Sequence, residues 1–86
     1  MKAKELLKEI VKAYPDVVAI SQDKDKKVYV YSEYMPYIDN ETPFIPEWLV
    51  YKGTYKILNF SDIIEWDSEN WKENIVTIND LENDQN

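Results

Sequence analysis

At 86 residues, 44% of them hydrophobic and 14% aromatic, the chain has room for one modest core and is too apolar for a disordered protein. It has no Cys, His or Arg, so thiol chemistry, the commonest general base and the bidentate guanidinium fork are all excluded. The net charge of −7 is unevenly placed: residues 1–27 carry +2, residues 28–60 carry −2 and residues 61–86 carry −7, with Lys72 the one cation of that last third.

The N-terminal stretch MKAKELLKEIVK alternates charge with apolar residues, unlike a signal peptide. No apolar run approaches the ~20 residues that cross a bilayer. A soluble, cytoplasmic protein without membrane contact is the expectation. Ala3, Leu6, Leu7, Ile10, Val11 and Tyr14 recur at helical spacing, with Lys4, Glu5, Lys8, Glu9 and Lys12 opposite. The spacing predicts a helix over 3–14, stopped by Pro15 and lacking an N-cap residue, so that its first turn should fray.

Val17–Gln22 and Lys27–Tyr34 are rich in β-branched and aromatic residues and predict a hairpin. Asp23-Lys24-Asp25-Lys26 would join them as a four-residue loop around a type I turn. The second strand then has one face with Val28, Val30, Ser32 and Tyr34, and another with Tyr29, Tyr31, Glu33 and Met35. One face should meet the helix; the other is tyrosine-lined. Met35–Glu47, with three prolines, reads as an extended connection lying across the domain, because Tyr37, Ile38, Phe44 and Ile45 are too apolar to leave in water. Trp48–Lys52 and Tyr55–Phe60 flank Gly53-Thr54, the signal of a type II′ hairpin that would set Leu49 opposite Leu58; a short helix over Pro46–Lys52 is the rival reading.

Ser61 can cap a short turn, Trp71–Asn74 can form another, and Ile75–Ile78 reads as a last strand. Residues 1–78 should make a single domain and residues 79–86 an acidic, polar, frayed tail. The fold class expected is α+β: the N-terminal amphipathic helix packed on a mostly antiparallel sheet of two hairpins plus a short C-terminal strand.

Motifs for chemistry fail one by one. Lys27, Tyr29, Tyr31 and Tyr34 fall where the RNA-recognition signature has its cation and aromatics, but its glycine positions hold Val28 and Val30, and an acidic chain opposes phosphate binding. Pro15-Asp16 followed by Asp25-Lys26-Lys27 matches the outline of metal-dependent nucleases, yet Asp25 and Lys26 belong to a turn. Asp23-x-Asp25 begins like a calcium loop, but Lys27 stands at the third ligand position and no Gly follows. The serines have no His to activate them. No enzyme activity, cofactor or metal is expected, and no direct binding of nucleic acid.

What remains is SDIIEWDSENWKEN. Carboxylates coupled to large aromatics suit docking on a basic partner, with charge steering the encounter and the indoles anchoring it. The residues expected to bind are Asp62, Glu65, Trp66, Asp67, Glu69, Trp71 and Glu73. The partner would be a protein with a basic, nucleic-acid-binding surface, its phosphates mimicked by these acids. In size and acidity, though over no stretch of residues, the chain resembles the small inhibitors that phages and mobile elements direct against host nucleic-acid enzymes. The alternative is a module that self-associates through the tyrosine face or a sheet edge.

Overall fold

The computed structural model describes residues 1–38, 48–50, 54–58 and 61–82. The helical stripe forms α1, Ala3–Ala13, and buries Ala3, Leu6 and Leu7 with Ile10 and Val11 at the rim. Tyr14 leaves the helix at φ −132°, as the following proline requires, and is 67% exposed rather than part of the stripe. Its amide still donates to Ile10 O at 2.8 Å, which closes the last turn.

Strand β1, Val17–Gln22, and strand β2, Val28–Ser32, pair antiparallel as the β-branched and aromatic run predicts. Their loop is one residue tighter than expected. Lys26 N donates to Asp23 O at 2.8 Å, Lys26 takes φ +71°, and Asp23 N then donates to Lys27 O at 3.0 Å. That is the three-residue hairpin, a β-turn followed by one left-handed residue, and here Lys rather than Gly occupies the left-handed position. The other end of β2 also stops early. Glu33 turns left-handed at φ +72°, its amide donating to Asp16 O at 2.9 Å, so Glu33 and Tyr34 leave the strand.

A register shift between Val17 and Ala19 decides what faces the helix. Strict alternation would send Val17 and Ile20 to opposite faces, but the irregularity inserts one residue and lets both enter the core beneath α1.

Strand β3, Thr54–Ile57, adds to β2, and strand β4, Ile75–Thr77, adds to β1, giving an antiparallel sheet in the order β3-β2-β1-β4. Thr54, expected in the turn, opens β3, and Leu49 forms its bridge with Tyr37. The predicted turn at Gly53, like Phe44 and Ile45 of the connection, lies outside the described residues. Ile78, expected to end the last strand, instead opens helix α2, Ile78–Glu82, and Leu81 packs against the core. Thr77 and Asp80 cap α2 reciprocally: Thr77 N donates to Asp80 Oδ2 at 2.8 Å, and Asp80 N donates to Thr77 Oγ1 at 3.4 Å.

The architecture is therefore α+β, a helix on a four-stranded antiparallel sheet with a short C-terminal helix. Leu7, Ile20 and Val28 are fully buried at its centre. On the opposite sheet face Tyr31 is also buried, at 2% exposure, and its hydroxyl accepts a hydrogen bond from the equally buried Ser21 at 3.2 Å. Trp48 closes the hairpin end. Its amide donates to Asp23 Oδ1 and its indole Nε1 to Gln22 O, both at 3.0 Å.

Candidate interaction surface

The acidic segment is irregular chain, yet its backbone is tied down at both ends. At its start, Ser61–Ile63 forms a single 3₁₀ turn, after which the chain runs parallel to residues 1–3. Ala3 N donates to Glu65 O at 3.1 Å and Glu65 N donates to Met1 O at 2.8 Å. The first turn of α1 was expected to fray for want of a cap. Lys2 makes no side-chain capping bond among the described residues, but the Glu65 carbonyl caps the helix from a distant part of the chain.

At its end a second 3₁₀ turn, Trp71–Glu73, begins at Asn70, whose Oδ1 accepts from Lys72 N at 3.1 Å. Between the turns Ser68 joins the two sides: its hydroxyl accepts from Asn70 N at 3.0 Å and donates to Glu73 Oε1 at 2.8 Å. Asn74 is the deepest anchor. Buried to 2% exposure, its carboxamide donates to Ser68 O and to Gln22 Oε1, each at 2.7 Å, while its carbonyl accepts from Gln22 N at 2.9 Å.

The side chains divide along chemical lines. Asp62, Glu65, Asp67, Glu69 and Glu73 are exposed. Trp66, read as a docking anchor, instead packs against the hydrophobic core, and its Nε1 is buried without a hydrogen-bond partner among the described residues. Trp71 is half-buried and carries Lys72 over its ring, 5.8 Å from the centroid. Trp66 therefore supports the segment from the core side, Trp71 stays half-buried beside Lys72, and the carboxylates form the outer layer.

Nor do all the acids share one place. Glu65, Asp67 and Glu73 line an open groove of about 400 Å³ between the N-terminal residues and β4. Asp62 faces a different groove, beside Asp25, Lys26 and Lys27 of the hairpin loop. Glu69 and Trp71 line neither of these two grooves. The first groove also brings in residues that sequence reasoning did not assign to it: Asp80, Lys2 and Lys4. Asp80 had a signal, because Thr77-x-x-Asp80 is a capping-box pattern that starts a helix right after β4 and folds the chain back over the sheet. Lys2 and Lys4 reach the groove only through the pairing of residues 1–3 with Glu65, which no local pattern announces.

The other chemical motifs resolve into local structure. Asp25 Oδ1 accepts from the Lys27 amide at 2.9 Å inside the hairpin loop, and the Asp16 backbone carbonyl accepts from the Glu33 amide at 2.9 Å. Among the described residues no group of three or more carboxylates is placed to hold a metal ion, and no helix is long and apolar enough to cross a membrane. No protein-family model, curated protein or solved structure matches the chain.

Proposed function

We propose that the protein acts by binding rather than by catalysis, presenting Glu65, Asp67, Glu69 and Glu73, with Asp62 at the margin, to a basic surface of a partner protein. The observation that carries this reading is the pinned backbone beneath the acids. Exposed carboxylate side chains on a segment fixed by Ala3, Ser68 and Asn74 lose little backbone entropy when a partner pairs with them. Their long-range field steers a cationic partner toward that side of the molecule.

The finer form of the proposal is occupation of a nucleic-acid groove, the carboxylates standing where phosphates would lie, as in a small inhibitor carried by a phage or mobile element and working in the cytoplasm. An excess of negative charge fits that role and opposes direct binding of nucleic acid. The self-associating alternative, through the tyrosine face or a sheet edge, keeps the half-buried Tyr29 on that face but loses Tyr31, which is buried.

Salt dependence tests the reading. Screening shortens from ~30 Å at 0.01 M salt to ~8 Å at 0.15 M. Affinity for a lysine-rich peptide should therefore fall steeply across that range, and the protein should displace duplex DNA from a basic DNA-binding protein. Salt-insensitive binding, or no competition with DNA, would count against it.

A further inference from the structure

The pairing that holds the acidic segment also gives it a way to open. Ala3 N–H and Glu65 N–H donate reciprocally across it, to Glu65 O and Met1 O, so neither strand of the pair keeps its bonds without the other. The pairing is one bridge, Lys2 with Glu65, both exposed, extended by a bond from the Met1 ammonium to Ile63 O at 3.2 Å. With no side-chain cap at Lys2, losing Glu65 O leaves the Ala3 amide unpartnered and the first turn of α1 held by Leu6 N to Lys2 O at 3.1 Å. What resists opening is the packing of Ala3 and Leu6 in the first turn, 4% and 6% exposed, of Ile64 at 7%, and of the half-buried Trp66. What favours it is the Trp66 Nε1, a buried donor that water would satisfy once the segment lifted. Strand β1, by contrast, is flanked by β2 and β4 and lies over the centre of the core.

We propose that residues 1–3 are a strap: the first turn of α1 and the segment 63–66 open together as one unit, short of global unfolding, and in opening they release Glu65 and Asp67 from their fixed frame. The strap would thereby regulate the acidic surface, a consequence that rests on the binding role proposed above. The opening itself is measured without any partner, so failure of the strap and failure of the binding role are separate results.

Native-state amide hydrogen exchange on the full chain is the test. In the wild type the Glu65 and Ala3 amides should open with matching free energies, both more readily than Ile20 and Ser21 of β1. Ala3→Pro removes the amide that Glu65 O accepts, at a first helical position where proline is tolerated and after a residue already extended at φ −73°, ψ 144°. It should speed Glu65 exchange by up to roughly tenfold, the loss of one net hydrogen bond, relative to Ile20. Should Ala3→Pro fail to fold, Ile64→Val trims the packing instead and should produce the same selective acceleration. Glu65 protection equal to that of Ile20 in the wild type, or acceleration of both amides in parallel, would overturn the strap.

Discussion

The carboxamide of Asn74 donates to Gln22 Oε1 at 2.7 Å, while the two backbones bond at 2.9 Å in the opposite sense, tying the end of the acidic segment to the central strand. Asn74 is almost fully buried, so its amide cannot exchange these partners for water. We expect Asn74→Ala to cost about 1–3 kcal/mol in urea unfolding, because Gln22 Oε1 and Ser68 O lose their donor. An effect near zero would mean that the segment is not anchored there.

Ser21 and Tyr31 form the polar contact beneath the opposite sheet face. A double-mutant cycle with Ser21→Ala and Tyr31→Phe isolates it. The coupling should be roughly 0.5–1.5 kcal/mol, with the double variant less destabilised than the sum of the single variants. Strict additivity in thermal or chemical unfolding would show that the hydroxyls do not depend on each other.

Asp23 holds the Trp48 amide at the end of the hairpin. Asp23→Ala should cost about 0.5–1.5 kcal/mol, since the part-buried Trp48 N–H loses its carboxylate acceptor. It should also shift tryptophan emission to the red as Trp48 loosens. The shift should vanish in a Trp48→Phe background, which separates it from Trp66 and Trp71.

Burial also ranks the helix stripe. Leu7 is fully buried whereas Ile10 sits at the edge of the core. Leu7→Ala should cost about 2–5 kcal/mol, and Ile10→Ala less than half of that measured value. Equal losses would mean that α1 sits rotated on the sheet relative to the arrangement described here.

The parts of this fold that were legible in the chain are those where pattern and burial agree. The stripe from Ala3 to Val11 advertises the face it buries, and the β-branched runs of Val17–Gln22 and Ile75–Thr77 advertise their strands. Tyr31 was harder, because a tyrosine reads equally well as surface or core until a partner such as Ser21 is known. Lys26 and Glu33 took left-handed backbone without the glycine that usually signals it. Helix α2 was masked by the polarity of the residues after Ile78, although its capping pair was present. The acids of the candidate surface could be found by charge alone. That Trp66 supports the surface from beneath follows only from the pairing of Glu65 with the N-terminal residues, a contact between parts of the chain far apart in sequence.

The central claim is that the carboxylates of one segment, rather than the overall charge, recognise a basic partner. Two triple variants of equal net charge decide it: Asp67, Glu69 and Glu73 to Lys, against the exposed Glu5, Glu9 and Asp16 to Lys, each raising the charge from −7 to −1. With folding checked by circular dichroism, binding to a lysine-rich peptide should weaken by roughly tenfold or more for the first variant and by clearly less for the second. Equal weakening in both would contradict the claim and leave bulk acidity as the cause.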